Sequence, residues 1–300
     1  MIKAGIVASE HQVIRISKII RKLSTFNCTA VFHPQMATGK LLSLERSVQF
    51  ADYTDFLSEV DAVIVGTACY SGCFSMIETA LKHSKHVYIA DPLCLQVSEA
   101  RKLIKLNDEI PSVLYIGNLS DILMYADWLK HENIRWINIR KTISFRDDFE
   151  YVMKHCISQS NQLNRGELKK ADAFQLSFDK NHSETGELRM EFFNGLVINV
   201  QLIPRIWNEE YTTEFFWNDN YLKFDFTGKK LYTSTFGSNC KADIPDLISY
   251  EGRLEKELYE FESTILKPLL DKENIIENRL HPIFLFHFIQ EKIKRTTITY

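Results

Sequence analysis

The segment VDAVIVGTACYSGCFSMIETALKHSKHVYIADPL, residues 60–93, decides the fold class of the chain. An uninterrupted apolar run, Ala62–Val65, is followed by apolar residues at helical spacing between positions 76 and 81, and then by the strand-like run His86–Ile89. Apolar runs without alternation are typical of strands that are buried on both faces of a parallel sheet. A strand, a helix and a second strand in this order therefore predict a parallel sheet with a crossover helix.

The same alternation of strand and helix extends through the first third of the chain. Strand-like runs at residues 2–7, 28–32 and 113–117 are separated by apolar residues at helical spacing at residues 13–23 and 97–104. We therefore expect residues 1–119 to form one α/β domain, a doubly wound parallel sheet with helices on both of its faces.

The pattern after residue 119 has a period of two. Residues 135–140, 187–192 and 197–202 alternate polar and apolar side chains, and an Asn-Gly pair between the last two runs is a strong hairpin signal. Such alternation is typical of an antiparallel sheet with one exposed face. Two helices follow, at residues 254–269 and 282–294. We expect residues 120–300 to form an α+β domain, an open-faced antiparallel sheet with flanking helices.

Composition and charge exclude several classes of function. The 300-residue chain carries 36 basic and 39 acidic residues without a basic block, so we expect no nucleic-acid partner. No apolar run is long enough to span a membrane, so we expect no membrane partner. The cysteines, of which Cys69 and Cys73 are nearest in sequence, complete no metal-ligand set. We expect no metal, and reduced thiols in a cytoplasmic protein.

The first strand-to-helix turn is the place where a doubly wound sheet binds a dinucleotide. A G-x-G-x-x-G motif is typical there, but the turn GIVASEHQ keeps only Gly5. Ser9 and Gln12 have the spacing of a capping box, and Glu10 places a carboxylate where a phosphate would bind. Two interpretations remain open: a cofactor turn with altered residues, contacted through Gly5, Ala8 and Ser9, or a self-capped helix that binds no anion.

His33 follows the second strand, where an NAD-binding domain usually has an acidic residue that holds the ribose hydroxyls. A histidine could instead contact the 2′-phosphate of NADP. The alternative is that His33 is an ordinary surface residue at the end of a strand.

With these elements placed, residues 61–93 resemble the Gfo/Idh/MocA oxidoreductase family, which has the motif K-H-V-x-x-E-K-P-L where this chain has KHVYIADPL at residues 85–93. His155 lies where that family has an H-x-x-D helix, and FFNG at residues 192–195 is similar to its F-x-N-G hairpin. The resemblance implies an N-terminal Rossmann-like fold, NAD or NADP as cofactor, and hydride transfer on a sugar or a polyol-like substrate.

The resemblance also places Gly66, Thr67 and Ala68, which follow the Ala62–Val65 strand, beside the cofactor. The chain departs from the family at the positions that carry the family's catalytic residues. Ala90 and Asp91 replace the Glu and the Lys of E-K-P, and Ser158 replaces the Asp of H-x-x-D. The family's usual catalytic lysine is therefore missing, which argues against the family's usual mechanism.

Hydride transfer from an alcohol needs a group that takes the hydroxyl proton. His155 is the candidate because imidazole titrates near neutrality. Asp91 could orient His155, and Lys154 could replace the missing positive charge. The alternative is that His155 is structural, and that the chain is a non-catalytic relative that serves as a ligand-binding or oligomeric scaffold without cofactor. In both cases we expect a homo-oligomer formed through the C-terminal sheet.

Overall fold

The computed structural model of the chain describes residues 1–33, 48–66, 72–118, 129, 133–143, 149–161, 166–178, 183–204, 209–218, 220–235, 238–243, 250–267, 272–291 and 294–298. The chain divides into two compact units. The first contains residues 1–119 and 249–283, and the second contains residues 120–248 and 284–300. Residues 249–283, which the sequence pattern placed in the second domain, therefore group with the first unit.

The helices are, in chain order, α1 (Glu10–Ile20), α2 (Tyr53–Ser58), α3 (Cys73–Lys82), α4 (Val97–Glu109), α5 (Phe149–Asn161), α6 (Tyr250–Leu266) and α7 (Lys272–Gln290). The strands of the first unit are β1 (Ile2–Val7), β2 (Phe26–Phe32), β3 (Val48–Phe50), β4 (Ala62–Val65), β5 (His86–Ile89) and β6 (Leu114–Ile116). The strands of the second unit are β7 (Trp136–Ile143), β8 (Leu168–Phe178), β9 (Ser183–Phe192), β10 (Val197–Pro204), β11 (Tyr211–Trp217), β12 (Asn220–Asp225), β13 (Lys230–Thr235), β14 (Ser238–Asp243) and β15 (Lys294–Ile298).

The sheet of the first unit is parallel throughout, in the order β3-β2-β1-β4-β5-β6. All four residues of β4 are buried, as the unbroken apolar run predicted. The strand order reverses between β1 and β4, so this sheet has its topological switch point at the carboxyl ends of those two strands. The predicted doubly wound parallel sheet is confirmed.

Helix α6 belongs to the first unit because of its apolar face. Leu254, Leu258 and Phe261 recur at helical spacing, are fully buried, and share one core with the apolar residues of α1, β1 and β4. The sequence pattern gives the helix and its apolar face, but it does not say which core receives that face. This explains why the expected grouping of residues 120–300 differs from the grouping by contacts.

The second unit is built on a nine-stranded sheet in the order β14-β13-β12-β11-β7-β10-β9-β8-β15. Most neighbouring strands are antiparallel, as predicted, but β10 runs parallel to β7 and β15 runs parallel to β8. Between β9 and β10, Gly195 has a φ of +83°, which is the left-handed conformation that its predicted hairpin turn requires. Helix α5 covers one face of the sheet and contributes Val152, Met153 and Cys156 to its core.

Among the cysteines that the structure describes, Cys94 differs from the expected reduced state. Cys28, Cys73, Cys156 and Cys240 are free, whereas Cys94, in the turn after β5, is disulfide-bonded. Disulfide pairing depends on Cα positions in the folded chain, which sequence spacing alone does not give. None of the described helices is both long and apolar enough to cross a membrane. The described residues contain no group of side chains arranged to hold a metal ion.

Candidate functional site

The turn between β1 and α1 is short and lies at the switch point of the parallel sheet. Ala8 and Ser9 connect the two elements, and Ser9 is the extended N-cap residue that precedes the first helical residue, Glu10. Ala8 is fully buried and Ser9 is half-buried. In sheets of this kind, ligands bind beyond the carboxyl ends of the strands at this position.

Gln12 links this turn to the end of β4. Its Oε1 accepts hydrogen bonds from the Ser9 backbone N–H (3.4 Å) and from Ser9 Oγ (3.1 Å). Its Nε2 donates to the backbone oxygen of Gly66 at 3.4 Å. The capping box predicted from the Ser9–Gln12 spacing is confirmed. The link to Gly66 was not predicted, because the two residues are 54 positions apart in sequence.

Gly66 is needed at the end of β4 because the turn packs closely against it. A Cβ at this position would lie 2.8 Å from the Cβ of Ala8 and 3.2 Å from Oε1 of Gln12. Three of the sequence-predicted cofactor residues, Ala8, Ser9 and Gly66, are therefore brought together around Gln12. Thr67 and Ala68 lie outside the described residues.

Gly5 and His33 lie elsewhere in the first unit. Gly5 is inside β1, and a Cβ there would collide with the ring of Phe56 and approach Cγ1 of Val60 to 2.8 Å. Its lack of a side chain thus makes room for an aromatic ring, which is a packing role. His33 is half-buried directly after β2, and Phe32 before it packs its ring 5.9 Å from that of Phe56.

The chemistry of the β1–α1 turn fits the diphosphate of a dinucleotide. The first backbone N–H groups of a helix have no acceptor within the helix, and within the described part of the chain those of Glu10 and His11 donate to no other group. These donors and the positive end of the helix dipole favour an anion. The side chain of Glu10 is exposed, so its carboxylate can remain in solvent.

Lys154 and His155 lie on α5 in the second unit. Lys154 is only 8% exposed, and its Nζ lies 5.5 Å from the centre of the Phe286 ring. His155 is half-buried, and its ring centre lies 6.4 Å from that of Tyr211. The two side chains therefore contact different aromatic residues of the second unit.

Tyr211 gives the surroundings of His155 a polar character. The buried Gln159 donates a hydrogen bond to its hydroxyl, and Nζ of Lys141 lies 4.6 Å from the centre of its ring. We call His155, Gln159, Tyr211 and Lys141 the His155 cluster. It combines an imidazole, a phenol and an ammonium group, which are groups that can exchange protons or bind oxygen atoms.

Asp91, in the first unit, is the residue that the resemblance aligns with the family's catalytic lysine. Its Oδ1 accepts a hydrogen bond from the backbone N–H of Leu93 at 3.0 Å. This is the pattern by which Asp side chains stabilise a turn. Its neighbour Ala90 is fully buried. The contact identifies a turn-stabilising role for Asp91 within the first unit.

Sequence reasoning missed Glu257, a carboxylate on α6 that is 1% exposed. Its Oε2 accepts from the Tyr88 hydroxyl at 2.7 Å, and its Oε1 accepts from the Asn118 backbone N–H at 2.5 Å. Nη1 of Arg279 lies 3.6 Å from the same Oε1. Burial raises the pKa of Glu257. The signal was present, because Glu257 lies between Leu254 and Leu258 on the apolar face of the helix.

Comparison with protein families also indicates a dinucleotide-binding domain, over most of the first unit. Residues 4–118 match the model of a family described as an oxidoreductase family with an NAD-binding Rossmann fold. No curated protein matches the sequence.

Solved structures extend the similarity of fold to nearly the whole chain. A UDP-N-acetylglucosamine 3-dehydrogenase from Acidithiobacillus ferrooxidans is 19% identical, with a TM-score of 0.79 over 97% of both chains. A biliverdin reductase from Synechocystis sp. PCC 6803, in complex with biliverdin and NADP+, is 16% identical, with a TM-score of 0.76 over 97% of this chain and 99% of its own. A 3-ketoreductase from Actinomadura kijaniata, in complex with NADP and TDP-benzene, is 15% identical, with a TM-score of 0.79 over 99% of both chains. The predicted resemblance to the Gfo/Idh/MocA oxidoreductase family is confirmed by sequence over residues 4–118. The solved structures show a similar fold over nearly the whole chain.

Proposed function

We propose that this chain is an NAD(P)-dependent oxidoreductase and that its first unit binds the dinucleotide at the β1–α1 turn. The observation that carries the proposal is the pair of backbone amides of Glu10 and His11 at the switch point, within a domain that matches an NAD-binding family. Ala8, Ser9 and Gly66 line this position. When bound, NAD(P)+ supplies the hydride acceptor.

We propose a sugar nucleotide as the substrate class. Two of the similar structures, a UDP-N-acetylglucosamine 3-dehydrogenase and a 3-ketoreductase in complex with TDP-benzene, act on or bind nucleotide-linked molecules. In this proposal a ring hydroxyl of the sugar is oxidised to a ketone, or the ketone is reduced. The carbon gives up a hydride and the hydroxyl oxygen gives up a proton.

His155 is our proposed acceptor of that proton. An imidazole titrates near neutrality, and efficient proton transfer needs a group whose pKa lies near the working pH. The Tyr211 ring lies next to the imidazole, and the ammonium group of Lys141 lies over that same ring. Lys154 packs against Phe286 and Asp91 stabilises its own turn, so we give these two residues supporting rather than chemical roles.

We further propose that NADP is preferred over NAD. A carboxylate after the second strand would hold the ribose hydroxyls of NAD and repel a 2′-phosphate. In this chain β2 ends at Phe32 and is followed by His33, which has no carboxylate. His33 is the described residue best suited to contact the 2′-phosphate.

The test is a thermal unfolding series combined with turnover measurements. Millimolar NADP+ should raise the midpoint of unfolding of the wild type, and it should raise that of His155→Ala by the same amount, because His155 is not part of the β1–α1 turn that holds the dinucleotide. Turnover of UDP-N-acetylglucosamine with NADP+, followed as NADPH absorbance, should fall about 100-fold or more in His155→Ala. Absence of a shift with both NADP+ and NAD+ would overturn the proposal.

A second candidate function is a non-catalytic relative that acts as an oligomeric scaffold. Asp91 in place of the lysine favours it, and so does the solvent-facing side of the second-unit sheet, on which the half-buried aromatic residues Trp136, Phe216 and Tyr221 lie on neighbouring strands. A second copy of the chain is the partner that we propose for this face.

The oligomer can be tested separately from catalysis. Sedimentation should give a dimer or larger for the wild type and a monomer for Phe216→Lys. Phe193→Lys is the matched control, because Phe193 is 69% exposed at the β9–β10 turn and should not affect the assembly. A monomeric wild type would contradict the assembly. A dimeric chain without cofactor binding or turnover would favour the scaffold function over the enzyme.

A further inference from the structure

The side chain of Gln12 spans the gap between the carboxyl ends of β1 and β4. On the α1 side its Oε1 accepts from the backbone N–H and the hydroxyl of Ser9, and on the β4 side its Nε2 donates to the oxygen of Gly66. The side chain is half-buried, so the link is partly shielded from water. We call these three contacts the Gln12 bridge.

The Gln12 bridge lies where the proposed dinucleotide must enter. A diphosphate at a helix N-terminus is held by backbone N–H groups, and at this switch point it would lie beyond the ends of β1 and β4. The amides of Glu10 and His11 are open to it, whereas that of Ser9 is already occupied by Gln12. Two backbone N–H groups of the turn are therefore available to a diphosphate, while the third, that of Ser9, is blocked by the side chain of Gln12.

The bridge is also weak enough to be broken. Two of its three hydrogen bonds measure 3.4 Å between donor and acceptor, beyond the usual range for N–H···O bonds. The third, at 3.1 Å, joins Gln12 to the flexible hydroxyl of Ser9. A glutamine side chain can rotate away without any movement of the backbone.

We propose that the Gln12 bridge is an internal competitor of the dinucleotide, so that Gln12 sets the affinity of the cofactor site. This inference rests on the proposed function. The cofactor binds the form of the protein in which Gln12 has left Gly66, and its apparent affinity is reduced by the fraction of molecules in which the bridge is closed. Gln12 is thus an affinity-determining residue that the glycine-rich motif of other Rossmann folds does not contain.

The test is the dissociation constant of NADPH, measured by calorimetry for wild type, Gln12→Leu and Gln12→Ala. Leucine is close to glutamine in size and cannot form the bridge, and alanine removes the side chain beyond Cβ. Both variants should bind NADPH about tenfold more tightly, which corresponds to a bridge that is closed in about nine of ten molecules of the free wild type. The control is Gln201→Leu, which breaks the exposed 3.2 Å hydrogen bond to Glu187 in the second unit and should leave the dissociation constant unchanged.

The outcomes separate this inference from the proposed function. If the wild type binds NADPH and both Gln12 variants bind it equally or more weakly, the inference is overturned and the proposed function stands. If only the variants bind, the inference is supported in its strongest form. If neither the wild type nor the variants bind NADPH or NADH, both are overturned. Circular dichroism melting shows whether each Gln12 variant is folded. If one of the two is not, the comparison with the wild type uses the other.

Discussion

At the scale of the residue, Gln12 separates what the sequence could predict from what it could not. The capping box with Ser9 followed from a spacing of three residues. The bond to Gly66 depends on β1 and β4 being neighbours in the sheet, and no local pattern encodes that. Gly5 illustrates the same limit. The motif predicts a cofactor contact for Gly5, but the Phe56 ring opposite it explains why a glycine lies inside β1.

Glu257 is a buried carboxyl group of the first unit, and its pKa is shifted. Burial raises its pKa above the ordinary value of 4.5, while the nearby Arg279 and the hydrogen bonds from Tyr88 and Asn118 act in the opposite direction, and the neighbouring Glu260 raises it further. The folded chain therefore holds this proton more tightly than the unfolded chain. The free energy of unfolding should fall as the pH rises from 4.5 through the raised pKa, because the buried group must then ionise.

Replacement of Glu257 by Gln should remove this dependence on pH. The amide does not ionise, so the free energy of unfolding of Glu257→Gln should change less than that of the wild type between pH 4.5 and neutrality. Urea unfolding at a series of pH values measures the difference. Glu255→Gln is the matched control on the same helix, since Glu255 pairs with Lys22 at the surface, and it should keep the slope of the wild type. Equal slopes for wild type and Glu257→Gln would contradict the account.

At the scale of the element, unbroken apolar runs predicted β4, and strict alternation predicted the β9–β10 hairpin. Strand β3 was missed because its three residues are too few to show a period. The parallel pairing of β10 with β7 was missed because alternation fixes the face of a side chain, not the neighbour of a strand. Helix α7 begins ten residues earlier than expected, with Pro282 inside it, although proline usually marks the first turn.

Helix α6 should be essential to the stability of the first unit. Phe261 is fully buried and packs its ring 5.8 Å from Phe26 and 5.7 Å from Tyr88. Phe261→Ala should lower the free energy of unfolding by about 3–5 kcal/mol, through lost burial and the cavity that remains. Tyr259→Ala on the same helix is the control; Tyr259 is 44% exposed, and its loss should cost about 0.5 kcal/mol or less. Urea unfolding compares the two, and equal losses would show that α6 is not held by this face.

At the scale of the whole molecule, the chain has two units, each with its own buried core. The sequence predicted two domains of the right classes because the hydrophobic period changes after the first third of the chain. The sequence could not predict that residues 249–283 group with the first unit, because the apolar pattern of α6 fits a helix of either unit equally well. The similar structures share this architecture over 97% or more of each chain, but a shared fold does not determine the chemistry of a site.

The central claim is that the β1–α1 turn binds a dinucleotide through the amides of Glu10 and His11. The most direct measurement is a titration of NADPH into ¹⁵N-labelled protein, followed by the amide resonances of the backbone. The account predicts that the resonances of Glu10 and His11 move progressively and saturate, while that of Gly195, at the β9–β10 turn in the second unit, stays in place. Unchanged Glu10 and His11 resonances at millimolar NADPH would contradict it.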